Sequence, residues 1–235
     1  MSITTTKLAR WAGLSAAAAG VLFIGVQINH PHLDAEFATT TEYTVRQSLK
    51  VLMAVLSLIG ITGMYLRQVT QAGVLGLVGY LVFGAGYLIM ISVEVIGAVV
   101  LPALARSEPG YVNDIFATVM GEPVAGDIGL MFGLNLASAA TFLGGGLIFG
   151  VALFRAKVLA RWAAALLAVG SVATLALPLL PQVNDRLFAL PMGVALIGLG
   201  YSLWSGLRTT PDRTMPGVDA TPVQPVQPVQ PEGAK

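Results

Sequence analysis

The run from Gly73 to Leu101 carries one charged side chain, Glu94, in 29 consecutive residues. Hydrocarbon about 30 Å thick is crossed by about 20 helical residues, so a stretch this long and this apolar suits lipid. Backbone N–H and C=O groups find no water there, and a helix satisfies them within one segment. The pattern recurs along the chain. Candidate spans fall at about 8–28, 47–66, 73–101, 126–153, 160–181 and 187–207. The third and fourth exceed what a crossing needs, which implies tilt or extension beyond the membrane. The expected fold class is all-α: a polytopic transmembrane bundle of about six helices over residues 1–207, with a tail over 208–235.

Charged residues make up 11% of the chain, against about a quarter in soluble globular proteins, too few to cover a water-facing surface. A net charge of +1 with no basic patch excludes a nucleic-acid partner. With no Cys there is no disulfide, thiolate metal site, iron–sulfur cluster or thiol nucleophile. Lys7 and Arg10 before an apolar stretch resemble a secretory signal. However, Leu8 to Ile28 is 21 residues long and lacks a small-x-small cleavage site, so a retained helix is expected.

Lys and Arg set the orientation. With the N-terminus in the cytoplasm, that side holds Lys7, Arg10, Arg67, Arg155, Lys157, Arg161, Arg208, Arg213 and Lys235; the other holds Arg46, Lys50, Arg106 and Arg186. Nine against four places both termini inside. Asp34, Glu36, Glu42, Glu108, Asp114, Glu122, Asp127 and Asp185 then lie at the outer boundary. Leu8-Ala9-Arg10-Trp11-Ala12 recurs as Leu159-Ala160-Arg161-Trp162-Ala163, and interfacial anchoring by Arg and Trp accounts for it, as would a duplicated hairpin. The tail from Pro222 to Pro231 repeats Val-Gln-Pro three times, the composition of an extended, disordered tether or docking peptide.

Helical rotation groups the candidate site residues. At about 100° per residue, Gly76, Tyr80, Phe83, Tyr87, Ile91 and Glu94 share one stripe of the third span. The opposite face, Val78, Val82, Ile89, Val93, Ile96 and Val100, is aliphatic and is expected to meet lipid. A charge at bilayer depth costs roughly 3 kcal/mol on insertion scales, so Glu94 should face the bundle, in a setting that favours the neutral acid. Pairing with Lys50, Arg46 or a His is the plainer alternative. On the fourth span Asp127, Asn135, Ser138, Thr141, Phe142 and Gly145 face one way within about 120°. Ser138 and Thr141, amid Gly129, Gly133, Gly146 and Gly150, suit helix packing, whereas Asn135 is costlier to leave unsatisfied and suits a cavity. Arg46, Lys50, Ser57 and Met64 share a face of the second span, its cations near Glu94 and Asp127.

Asn29 to Glu36 alternates ligand-type side chains, but such a series is no specific zinc signature, and His30 and His32 are too close in sequence to clasp a haem. No metal or other cofactor is expected. Phosphate loops, nucleophile elbows and H-E-x-x-H helices are absent from the sequence, which leaves hydrolase and nucleotidase readings unsupported.

The stretches GMYLRQ, GVLGLVGYLVFGAGYL, LPALA, GYVND and LARWAAALLAVG resemble small actinobacterial six-helix membrane proteins. More loosely, the size, the helical architecture and the intramembrane acid resemble small membrane-bound terpene cyclases. That resemblance implies a multi-pass enzyme of the bacterial cytoplasmic membrane that protonates and cyclises a prenylated, farnesyl-type substrate. Glu94 would donate the proton, with Asp127 or Asn135 assisting. Tyr80, Phe83, Tyr87, Met131, Phe142, His30, Arg46 and Lys50 would surround the substrate. Expected partners are a lipophilic small molecule and membrane lipids; oligomeric state stays open. A small proton-coupled transporter and a membrane sensor or assembly subunit are the alternatives.

Overall fold

The computed structural model describes residues 4–28, 31–173 and 189–206. Among them the regular structure is entirely helical: α1 (Thr5–Gly25), α2 (Ala35–Ala38), α3 (Thr41–Arg67), α4 (Val69–Val99), α5 (Leu101–Ser107), α6 (Pro109–Met120), α7 (Leu130–Ala156), α8 (Arg161–Ala173) and α9 (Ala189–Gly206). Four of these, α1, α3, α4 and α7, are long and apolar enough to cross a membrane, and α8 and α9 are shorter apolar helices. The expected tail over 208–235 lies outside the described residues, as does His30.

Helix α1 packs against α3 and α9, α4 against α3 and α7, and α8 against α7 and α9. Lipid tails are as apolar as leucine, so helix association here relies on close backbone approach at small residues. A Cβ on Gly79 would stand 2.6 Å from the Phe149 nitrogen, and one on Gly86 would stand 2.9 Å from that of Phe142. Gly145 meets the Phe83 backbone in the same way, and Gly13 and Gly200 bring α1 onto α9. Every buried residue of α7 falls between Gly145 and Leu153. From Leu130 to Ala140 the helix has none, and it first meets the α4 backbone at Thr141 and Phe142. Where α4 and α7 touch, Phe83, Tyr87, Phe142 and Phe149 form an aromatic cluster, with Phe83 4.8 Å from Tyr87 and 5.3 Å from Phe142 between ring centroids.

Helix boundaries depart from the sequence expectation where polar residues intervene. The second span starts at Thr41 because the Thr40 side chain accepts the Tyr43 N–H. The fourth starts at Leu130, since the Asp127 carboxylate accepts the Gly129 N–H at 2.7 Å and Gly129 has φ +57, a left-handed value that favours glycine. The third begins at Val69, one residue after α3 ends, and bends at Gly73.

The largest difference lies between Pro102 and Ala125, expected to be a connecting loop but containing α6 and most of α5. Pro109 opens α6 and Gly121, at φ +73, closes it. With α2 these helices cap one end of the bundle over a second apolar core that includes Ala38, Tyr43, Leu101, Val112, Ile115 and Phe116. Asn113 Oδ1 accepts the Ala35 N–H at 2.8 Å, and the Asp114 carboxylate accepts the N–H groups of Ala125 and Gly126 at 3.0 and 2.9 Å. The described acidic residues all belong to the capped half. The opposite end carries Lys7, Arg10, Arg67, Arg155, Lys157 and Arg161, with no acidic side chain among its described residues. There Arg10 lies over the Trp204 ring and Arg161 over Phe154, while Trp11 and Trp162 are exposed, as interfacial anchors are.

Candidate functional site

Beneath the cap, between α3, α4, α6 and α7, lies a cavity of about 410 Å³, within the size range of small-molecule sites. It exists because α7 is held to α4 from Phe142 downward and stands apart above. Each wall follows helical spacing. Tyr43, Gln47 and Lys50 come from one face of α3, and Met90, Val93, Glu94 and Gly97 from one face of α4. Met131, Asn135, Ser138 and Phe142 descend along α7, while Phe116 and Val119 enter from α6. Gly97 leaves room for Gln47: a Cβ there would stand 2.5 Å from the Gln47 amide nitrogen.

The polar groups are few and largely shielded. Lys50 Nζ lies 3.8 Å from Glu94 Oε2, with side chains 17% and 15% exposed. That separation supports an ion pair and is too long for a hydrogen bond. Glu94 Oε2 and Asn135 Nδ2 are buried without a hydrogen-bond partner, and the Tyr43 hydroxyl is buried beside the Gln47 side chain. Asn135 and the pair therefore present unmet hydrogen-bonding capacity to an otherwise apolar space.

Of the residues expected from sequence, Glu94, Lys50, Asn135, Met131 and Phe142 come together on this cavity. The plainer reading of Glu94, an ion pair with Lys50, is the arrangement found. Phe83 and Tyr87 point inward as expected but are fully buried in the aromatic cluster below the cavity floor instead of lining it. Tyr80 stacks on Tyr65 at 4.8 Å and its hydroxyl lies 3.2 Å from that of Thr62, away from the cavity. Arg46 reaches to the end of α1, where Nη1 donates to the carbonyls of Val26 and Ile28 at 3.1 and 3.2 Å, and it also pairs with Glu42. Asp127 is exposed, holds the turn before α7, and borders a separate cleft with Tyr111 and Leu130. Thr141 donates to the Ala137 carbonyl of its own helix. His30 lies outside the described residues, and the Asp34 carboxylate caps α2. No group of three His or acidic side chains able to hold a metal occurs among the described residues.

The lipid face of α4 is also turned by about a quarter of a revolution. Val78 and Val100 of the expected face are exposed, but Val93 lines the cavity and Ile96 packs on the cap core, and Val74, Leu81, Leu88, Val95 and Val99 on the neighbouring face are exposed. Aliphatic periodicity misplaced this face because the glycines Gly79 and Gly86, which seat α4 on α7, carry no hydrophobic signal. Tyr43, Gln47, Met90, Phe116 and Phe132 were missed as lining residues. Tyr43 and Gln47 stand seven and three residues before Lys50, on its face, and Tyr43 fell outside the span begun at residue 47.

Comparison with protein-family models, curated proteins and solved structures gives no match. Fold and site define an all-helical protein with four helices able to cross a membrane. At one end of its bundle an apolar cavity encloses an ion pair.

Proposed function

We propose that the chain is a multi-pass protein of the bacterial cytoplasmic membrane, with six spans and both termini inside, that captures an amphipathic lipophilic molecule beneath the cap. The observation that carries this reading is the buried Lys50–Glu94 pair and orphaned Asn135 amide within walls of Met, Leu and Phe. Apolar side chains of similar volume would serve stability as well as or better than such a pair, so its retention suits recognition of a polar group. The end that carries Lys7, Arg10, Arg67, Arg155, Lys157 and Arg161, with no acidic side chain among its described residues, suits the cytoplasmic side, and the cavity would then lie in the outer leaflet. Val119, Phe132 and Leu136 are exposed at its rim, so a lipid-borne molecule can enter sideways.

The test is photolabelling of the full-length protein in nanodiscs with a diazirine-bearing alkyl probe, followed by peptide mapping. Labelling concentrated near Met90, Phe132 and Leu136, and lost when Ser138→Phe fills the cavity, supports capture. Uniform labelling of every lipid-facing helix, unchanged by Ser138→Phe, refutes it.

A catalytic reading is favoured by one further observation: Glu94 shares the cavity with Tyr43, Phe116, Phe132 and Phe142. In acid-initiated cyclisation the carboxyl proton adds to an alkene of a prenyl chain, and the next π pair closes a carbon–carbon bond. Loss of a neighbouring C–H proton to the carboxylate restores an alkene and the acid, so the product is an isomer. Aromatic faces stabilise the intervening cation, and a dry site keeps water from it. Lys50 would have to release the carboxyl oxygen first. Farnesylated acceptors incubated with purified protein test this, and product formation unchanged by Glu94→Gln removes the role. Proton-coupled transport has less support, because buried Phe83, Tyr87 and Phe149 fill the bundle below the cavity.

A further inference from the structure

Resting on the capture reading, we infer that the polar end of the captured molecule is an uncharged hydroxyl, an alcohol or a phenol, in preference to a carboxylate, phosphate or amine. Two tallies lead there. The first is charge: Lys50 and Glu94 are the charged side chains lining the cavity and they balance each other. A charged head would therefore leave one net charge in an apolar enclosure with no counter-charge.

The second tally is of hydrogen bonds. Asn135 Nδ2 can only donate and needs an acceptor, whereas Glu94 Oε2 needs a donor when ionised. The Tyr43 hydroxyl, 1% exposed at the level of the residue and beside Gln47, can do either. A ketone or ester accepts without donating and leaves Glu94 unmet. An ammonium donates without accepting and leaves Asn135 unmet. A hydroxyl can both donate and accept, and its neutrality keeps the Lys50–Glu94 balance intact. Two buried groups on two helices, α4 and α7, thus call for one kind of head, while the Met, Leu and Phe walls accept a hydrocarbon body of unspecified shape.

The experiment is competition for the diazirine probe on the full-length protein in nanodiscs, using four molecules of equal chain length: 1-dodecanol, dodecanoate, dodecylamine and dodecane. The alcohol is expected to compete at least about 10-fold better than the other three. Asn135→Leu should weaken dodecanol by about 10-fold and leave dodecane unchanged. Glu94→Gln leaves Lys50 without its counter-charge and should transfer the preference to dodecanoate. Dodecanoate or dodecylamine competing as well as dodecanol in the unaltered protein overturns the hydroxyl inference while the capture reading survives. Competition by none of the four overturns both. The comparison on unaltered protein decides the matter even where a variant fails to fold.

Discussion

Gly144 and Gly145 are neighbours on α7, yet replacing each by alanine should move stability in opposite directions. At Gly145 an added Cβ would stand 2.5 Å from Phe83 Cα and closer still to its nitrogen, against the Val82–Phe83 backbone of α4, where no flexible side chain can give way. Helix α7 must then withdraw from α4 by about 1 Å, and overpacking of this kind costs about 1–3 kcal/mol. At Gly144 nothing lies within 4 Å of the new atom. Only helix propensity acts there, in favour of alanine by about 0.5–1 kcal/mol. The two variants should differ by about 1.5–4 kcal/mol, roughly 10-fold or more in the folding equilibrium. Reversible unfolding in mixed micelles measures this directly. Equal stabilities within about 0.5 kcal/mol, the scale of an ordinary surface substitution, would refute the backbone contact as the clamp between these helices.

Lys50→Met should cost about 2 kcal/mol by stranding Glu94, less than the about 3–5 of a wholly buried pair. Adding Glu94→Gln should recover more than half of that loss in the same unfolding assay. Arg46→Met removes the side chain holding the Val26 and Ile28 carbonyls, with an expected loss of about 1–2 kcal/mol. Faster hydrogen exchange should then appear in the last turn of α1, and unchanged exchange would contradict the capping role. Asp114→Ala releases the N–H groups of Ala125 and Gly126 and should cost about 1–2 kcal/mol. Hydrogen exchange at the Ala125 and Gly126 amides should become markedly faster, and an unaltered rate would argue against Asp114 as the anchor of that turn.

Hydropathy made the long helices legible, because lipid leaves no other conformation for such runs. It was silent on the cap. Helix α6 is amphipathic and short, and its Pro109 start and Gly121 stop were readable only by setting hydropathy aside for capping chemistry. Rotation arithmetic correctly turned Glu94, Phe83 and Tyr87 inward but could not distinguish packed interior from cavity wall. That distinction depends on where α7 leaves α4, which glycine positions such as Gly86 and Gly145 decide on both helices together. Asp127 was misplaced for a local reason: counted as the first turn of a helix, it serves as the turn before one. Arg46 was assigned to the cavity from its spacing to Lys50, though the end of α1, which it holds, was not deducible from that spacing.

Phe142 forms the floor of the cavity and rests on Phe83 and Tyr87. The depth available to a hydrocarbon chain is thereby gauged by one side chain, much as a ruler is read at its last mark. A smaller residue there would lengthen the usable shaft by several methylene units without disturbing the groups that grip the head. For the proposed lipophilic ligand, chain-length preference and head-group recognition would then be free to diverge, each through its own few positions.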